Sequence, residues 1–333
     1  NQSDDDIAII GLSGIYPGAR SLDEFWQNLK LGKNCVTEIP KNRWSVDEFY
    51  DPAPEKADQG KMYCKWGAFL EDVEMFDPLF FNISPKEAEL MDPQERLFLE
   101  TAWRTLEDAG YTSKQIRDSI EKKKSADAGV FVGVTSNTYC FQGPNHWRSG
   151  SMPIPTSLPW SIANRVSYVF NFHGPSIPVD TACASSLTAI HMACQSIRND
   201  ECSIAIAGGV NLYLHPAKYV WMCQMGMLSS KGRCASFGDG ADGFVPGEGV
   251  GAMLLKPLKA AVQDGDNVYA VIKGSAMNHG GSMNDYMVPN PNAQALLISK
   301  AIDKAGFDPE SISYLEAQGI GSELGDPIEI TSL

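Results

Sequence analysis

The chain has 333 residues, 43% hydrophobic and 20% charged, a globular composition long enough to bury a core. Its formal net charge of −14 excludes a general binder of nucleic acid or of anionic membranes, whose contacts need lysine and arginine. The eight cysteines form no C-x-x-C pair and no zinc-finger spacing, no apolar run could span a bilayer, and no signal-peptide pattern opens the sequence, so reduced thiols in a cytoplasmic protein without membrane insertion are the expectation.

In chain order, residues 7–10 form an apolar run that predicts a buried strand ending at Gly11. Ser21 followed by Glu24 reads as a capping box that opens a helix. Residues 40–80, rich in proline, aspartate and aromatics, read as an irregular, ordered insertion. The spacing of Leu99, Ala102, Trp103 and Leu106 predicts one helix over 85–109, stopped by Gly110. The charged run 119–127 reads as a surface loop. Strands are expected over 128–134, 177–180, 203–207, 250–255, 268–274 and 313–317, the third closed by Gly208-Gly209. Helices are expected over 157–168, over 292–305 and after Cys183, where Leu187, Ile190, Cys194 and Ile197 form an apolar stripe. Apolar strands alternating with helices specify an α/β protein whose parallel or mixed sheet is covered on both faces.

Several familiar chemistries fail on spacing. Gly11-x-x-Gly14-x-x-x-Gly18 follows a strand but lacks the G-x-G that lets a backbone approach a pyrophosphate, and Pro17 interrupts the helix start. There is no P-loop, no H-E-x-x-H and no G-x-S-x-G. The five histidines (His146, His173, His191, His215 and His279) are scattered. Cys183 differs from the other cysteines, because it lies where a strand runs into a helix. The free N–H groups and positive potential of a helix N-terminus favour thiolate, and the backbone N–H there can serve an oxyanion hole. A buried structural cysteine is the competing reading from local context alone.

The segment Asp180-Thr181-Ala182-Cys183-Ala184-Ser185-Ser186-Leu187 resembles the active-site segment of β-ketoacyl synthases in modular polyketide synthases. The likeness extends over almost the whole chain. It includes Ile7-Ala8-Ile9-Ile10-Gly11-Leu12-Ser13-Gly14, Met91-Asp92-Pro93-Gln94-Glu95-Arg96, Gly247-Glu248-Gly249-Val250-Gly251 and Gly325-Asp326-Pro327-Ile328-Glu329. Tyr63-Cys64-Lys65-Trp66-Gly67, and the stretch from Asn278-His279-Gly280-Gly281 to Pro289-Asn290-Pro291-Asn292-Ala293-Gln294, resemble synthases fed by a separate, trans-acting acyltransferase.

The resemblance implies a thiolase-like α/β fold, two similar halves in a five-layered αβαβα arrangement. Residues 1–256 would form the N-terminal half with insertions and the nucleophile Cys183, and 257–333 the start of the C-terminal half. It further implies a dimeric cytoplasmic acyltransferase of antibiotic biosynthesis, with no metal and no tightly bound cofactor. Its partners would be adjacent synthase domains and acyl carrier proteins, whose phosphopantetheine arm delivers the acyl chain.

In that family the counterpart of Cys183 takes the chain as a thioester, with its backbone N–H in the oxyanion hole. Two histidines assist decarboxylation of a malonyl extender, and the first opens a His-Gly-Thr-Gly-Thr motif. Here the motif reads Gln318-Gly319-Ile320-Gly321-Ser322, so Gln318 stands at the histidine position. An amide donates hydrogen bonds but does not cycle a proton near neutral pH, and losing such a group costs roughly 10²–10⁴ in rate. The expectation is a non-elongating ketosynthase that acylates Cys183 and passes the chain on unchanged. The two threonine positions line the arm's channel in the family, so Ile320 and Ser322 are candidate substrate contacts, joined by Met225, while Glu329 belongs to a supporting motif. Two alternatives stand beside this reading: an active condensing enzyme with a substitute for the histidine, His279 being nearest in sequence, and a structural or docking domain. The family continues past Glu329 to a lysine and a second histidine, so the 333 residues are expected to be an incomplete domain, not stable alone. Acidic carrier proteins facing a chain of charge −14 imply docking through a local basic patch.

Overall fold

The computed structural model describes residues 5–143, 155, 157–283 and 288–333. His146 and residues 284–287 of the motif noted above lie outside the described residues. Among the described residues there are eight strands: β1 (Ile7–Ile15), β2 (Thr37–Glu38), β3 (Trp66–Gly67), β4 (Ala128–Gly133), β5 (Ser176–Val179), β6 (Ile204–Asn211), β7 (Gly249–Pro257) and β8 (Ala270–Ile272). The chain divides into two compact units, one built from residues up to Cys35, Phe69–His215 and Gly247–Ile272, the other from Val36–Ala68, Pro216–Pro246 and Lys273–Leu333.

The first unit holds a six-stranded mixed sheet in the order β5-β4-β6-β7-β1-β8. β4 runs parallel to β5 and β6, while β7 is antiparallel to β6 and β1. Period-two alternation divides its side chains between two cores. On one face Val130, Val132, Ile204, Ile206, Val210, Val250 and Leu254 meet the helices Pro93–Asp108 and Pro159–Phe170. On the other, Phe131, Ala205, Ala207 and Leu255 meet Ala189, Ala193 and Ile197 of the helix Ser185–Arg198. A sheet covered on both faces by helices matches the sequence reading.

Gly11 and Gly14 lie inside β1, which runs on to Ile15, so they form no phosphate-binding turn. A Cβ on Gly11 would sit 2.6 Å from the Thr105 carbonyl oxygen, so glycine here permits close packing of strand and helix.

Four element readings are corrected. The expected helix over 85–109 is two helices, Pro85–Leu90 and Pro93–Asp108, because Met91 turns extended and Asp92 caps the second from 2.9 Å at the Gln94 N–H. The expected loop over 119–127 is mostly helix, Ser113–Lys123, opened by a capping box of Thr112 and Gln115; its charge marks a solvated helical face. Gly208-Gly209 does not close its strand but lies within β6, where a Cβ on Gly208 would collide with the β7 backbone at Gly251. Residues 313–317 form no strand, since among the described residues they find no neighbour to complete a ladder. At Ser21 the cap is half of the expected box: its hydroxyl accepts from the Glu24 N–H at 3.2 Å, but the Glu24 carboxylate reaches back to the Arg20 N–H at 2.7 Å.

A buried ionic knot closes the edge of this unit. Lys256 Nζ donates to Asp264 at 2.7 Å, to Asp266 at 2.6 Å and to Tyr111 at 3.1 Å. Burial pushes the ammonium pKa down, but the two carboxylates outweigh it and hold it above the usual lysine value. Lys256→Met takes the cation from Asp266, whose side chain is only 6% exposed and keeps just the Tyr111 hydroxyl, while Asp264 retains Lys123 at 2.7 Å. The expected loss is about 3 kcal/mol, read as a shift in the denaturant midpoint of the full-length domain.

The second unit contains the two-residue ladder β2–β3 and the helices Ala217–Gln224, Pro291–Ala305 and Gly325–Ser332. Two asparagines tie the two ends of the 278–294 stretch together. Asn278 donates to the Ala293 carbonyl at 2.7 Å, and Asn290 to the Gly280 carbonyl at 2.7 Å. Asn290 Oδ1 also caps the Pro291–Ala305 helix at the N–H groups of Asn292 and Ala293.

Candidate active site

The first unit carries Cys183, and the second carries Met225, Gln318, Ile320, Ser322 and Glu329, so each set is described within its own unit.

β5 ends at Val179, and the Ser185–Arg198 helix begins six residues later. The connecting turn is held by its own polar side chains. Asp180 Oδ1 accepts from the Ala182 N–H at 3.0 Å. Ser185 Oγ accepts from the Thr181 N–H at 2.9 Å and donates to the Ala182 carbonyl at 2.6 Å. The Thr181 and Thr188 hydroxyls meet at 2.9 Å. Ala182 sits at φ +53°, a left-handed conformation that costs an alanine about 1–2 kcal/mol, and this bonding network holds it there. The next residue, Cys183, is exposed. Ala184 is the N-cap and provides no side-chain acceptor, which leaves first-turn N–H groups free of a side-chain cap. Such a helix start suits an oxygen that gains negative charge.

Two glycines let this helix start sit on the sheet. A Cβ on Gly133 of β4 would lie 2.6 Å from the Ser186 nitrogen and 2.7 Å from the Ser185 carbonyl carbon. A Cβ on Gly209 of β6 would collide with the Ser186 hydroxyl. The turn that presents Cys183 is therefore seated directly against backbone, with no side chain between.

In the second unit Gln318 opens a loop whose backbone is pinned from outside. The carboxylate of Glu329 accepts from the N–H of Gln318 at 2.6 Å and of Gly319 at 2.8 Å. Asp326 Oδ1 accepts from the Gly321 N–H at 3.1 Å, and its Oδ2 from Phe237 at 2.7 Å. Gly319 at φ +51° and Gly321 at φ +70° need the freedom of glycine. Ser322 turns inward and accepts from the Gly325 N–H at 3.1 Å. Gln318, Ile320 and Glu329 share a cavity of about 220 Å³ with Gln294, Leu297 and Ile298. Met225 stands apart at the C-cap of the Ala217–Gln224 helix, 45% exposed, while Met222 of that helix is core.

Sequence reasoning missed Asp326 as the second anchor of this loop; its signal was its place beside Pro327, three residues before Glu329. It also missed Asp242. Burial pushes that carboxyl's pKa up, but the hydrogen bonds from Ser229 and Ser230 and the charge of Lys231 together outweigh it and hold it below the usual range.

The cysteines divide by environment. Burial pushes the Cys64 thiol up to about 12 and Cys194 up to about 11, and also raises Cys202 and Cys223. Cys183 and Cys234 are exposed. Brief alkylation of the native protein near pH 8, read by peptide mass spectrometry, is expected to modify Cys183 and Cys234 and to spare those four until the chain unfolds. Modification of Cys64 before Cys183 would contradict this order.

Among the described residues no group of three or more His, Cys, Asp or Glu side chains could hold a metal ion, and no helix is long and apolar enough to cross a membrane.

The sheet, the strand-to-helix presentation of a thiol and the glycine-rich pinned loop are those of the thiolase-like fold. The solved ketosynthase domain OzmH KS7 of oxazolomycin biosynthesis in Streptomyces albus JA3453 superposes with a TM-score of 0.93 and 50% identity, over 99% of this chain and 55% of that one. The ketosynthase from module 6 of the bacillaene synthase of Bacillus subtilis 168 gives 0.86 and 44%, over 98% of this chain and 53% of that one. Residues 4–261 match the family model "Beta-ketoacyl synthase, N-terminal domain" and 269–333 its C-terminal counterpart. The chain belongs to the β-ketoacyl synthase family and is a ketosynthase domain of the polyketide synthase kind. Polyketide synthases PksL and PksM of Bacillus subtilis (strain 168) are 56% and 54% identical to it over 99% of its length. It spans 7% and 8% of those two proteins.

Proposed function

We propose that this ketosynthase is non-elongating and of the trans-acyltransferase type. Cys183 attacks the thioester of an acyl carrier protein, the carbonyl oxygen takes the charge beside the backbone N–H of Cys183, and the carrier's phosphopantetheine thiol leaves. The reverse exchange with the next carrier's thiol releases the chain unchanged. The observation that carries this reading is the pairing of a thiol on a braced strand-to-helix turn with a glutamine where the family motif has histidine. Glu329 holds the Gln318–Gly319 backbone and supports the site through position. Ile320, Ser322 and Met225 are the proposed contacts of the arm and its cargo. The trans-type assignment rests on the motif segments joined by Asn278 and Asn290.

A homodimer fits the sheet, because β5 is an edge strand whose outer side has no strand neighbour among the described residues. No bound cofactor is needed, and the reaction suits a cytoplasmic assembly line. The test is to give the full-length synthase an acyl carrier thioester and a malonyl carrier. The expected result is an acyl adduct on the Cys183 peptide, transfer to a second carrier and no release of CO₂. Failure of Cys183 to acquire the acyl group would sink the proposal, and a lengthened β-keto chain would replace it with active condensation.

A further inference from the structure

The proposed role of Cys183 leaves open what limits the acyl group it accepts, and the sheet carries an argument on this point. Along β6 the even-numbered residues Ile204, Ile206 and Val210 enter the core on the face of the Pro93–Asp108 helix, and Leu212 and Leu214 continue that face past the strand's end. Ala205 and Ala207 enter the opposite core, beneath the helix that follows Cys183. Gly209, on the same face, underlies Ser186 in the first turn of that helix. With Leu212 and Leu214 both in the first core, Tyr213 between them falls on the Cys183 face, two residues past the end of β6 and about 13 Å beyond Gly209 at the strand rise.

The segment that carries Tyr213 is fixed in place. Gln94 Oε1 accepts from the Leu212 N–H at 3.1 Å, and Gln94 Nε2 donates to the Ser136 carbonyl at 2.7 Å. One oxygen of buried Glu248 accepts from the Tyr213 N–H at 2.9 Å, and the other from Leu70 at 2.8 Å. The Tyr213 ring is only 7% exposed. Burial pushes its phenol up to about 12; a hydrogen bond with Asn211 opposes this, and the charges of Glu248 and Cys183 add to it. That Cys183 acts on the phenol at all agrees with the placement from the pleat.

We infer that Tyr213 is a specificity-determining residue, a rigid aromatic wall beside the Cys183 sulfur that excludes substituents on the carbon next to the thioester carbonyl. This rests on the proposed acyl transfer through Cys183, which selects acyl groups by whatever stands next to the sulfur. A wall held by two backbone bonds yields little, and a methyl branch that meets it is refused by an order of magnitude or more.

The experiment uses the full-length synthase with wild-type Tyr213, Tyr213→Leu, Tyr213→Ala and Tyr213→Phe, and two pairs of probes. Butyryl and 2-methylbutyryl N-acetylcysteamine thioesters report acylation. Iodoacetamide and 2-iodopropanamide, which differ by the same methyl branch, report access to the Cys183 thiol without any acyl transfer. The branched-to-straight ratio on the Cys183 peptide is expected to rise about tenfold in Tyr213→Ala, to rise less in Tyr213→Leu, and to keep its wild-type value in Tyr213→Phe, for both pairs. The leucine variant keeps an apolar side chain in the buried position and serves if alanine unfolds the unit. An alkylation ratio unchanged in both the leucine and alanine variants overturns the inference. If no thioester acylates Cys183 in any variant while the alkylation ratio shifts, acyl transfer fails and the wall stands.

Discussion

Cys183→Ala is expected to abolish acyl capture and leave the domain folded, whereas Gly133→Ala should keep the thiol and lose about two orders of magnitude in rate. The first effect follows from chemistry. The Cys183 side chain is exposed, so its removal opens no cavity, and the braces of the turn lie on Asp180, Thr181 and Ser185. Ser185, two residues on, does not replace it, since its hydroxyl is held in bonds to Thr181 and Ala182. The second effect follows from position. A methyl at Gly133 meets backbone atoms of Ser185 and Ser186 at 2.6–2.7 Å, where ordinary contact begins at 3.4 Å, so the helix start must retreat or tilt by most of an ångström. A reacting atom misplaced by about 1 Å costs about 10² in rate. Intact-protein mass after timed exposure to an acyl thioester separates the two variants: one never gains mass, the other gains it slowly. Gly133→Ala loading at the wild-type rate would show that the seat on β4 does not govern the thiol.

How far this site was legible in the sequence depends on the range of the interactions that build it. Cys183 stood out because the run from apolar strand through small residues to apolar stripe is local, and the motif around it is long and specific. Gln318 was legible as a departure from an otherwise familiar motif. The seat under Cys183 was not, because Gly133 and Gly209 approach the turn from strands that the fold alone brings alongside. In sequence Gly133 is one more residue of an expected strand, and Gly208-Gly209 looks like a turn signal. The anchors Asp326 and Glu329 act on backbone N–H groups, which leave no mark on the residues they hold. The helix Ser113–Lys123 was half hidden for a related reason: its charged surface outweighed one inward residue, Ile116. Residues 313–317 show the opposite failure, since an apolar pattern promises a strand only where a neighbour completes it.

Gln318→His is expected to raise decarboxylation of a malonyl carrier by about 10²-fold or more over the parent, the size of one restored proton-transfer group. Three features of the loop favour this gain. Its backbone is held at the Gln318 and Gly319 N–H groups by Glu329 and at Gly321 by Asp326, so its path does not depend on the side chain at 318. The left-handed turns at Gly319 and Gly321 remain glycine, as the fold requires. The cavity of about 220 Å³ that Gln318 lines leaves room for an imidazole. Imidazole titrates near pH 6.5, so the gained activity should vary with pH between about 5 and 8, where the parent amide has no titration to follow. Pairing it with Ile320→Thr restores the hydroxyl of the motif and, if position 320 contacts the arm as proposed, should lower the carrier's KM more than it raises kcat. Release of CO₂ from the malonyl carrier, followed across that pH range with Cys183→Ala as a companion, is the measurement. A Gln318→His protein that acylates normally yet releases no CO₂ would show that residue 318 alone does not decide between transfer and elongation.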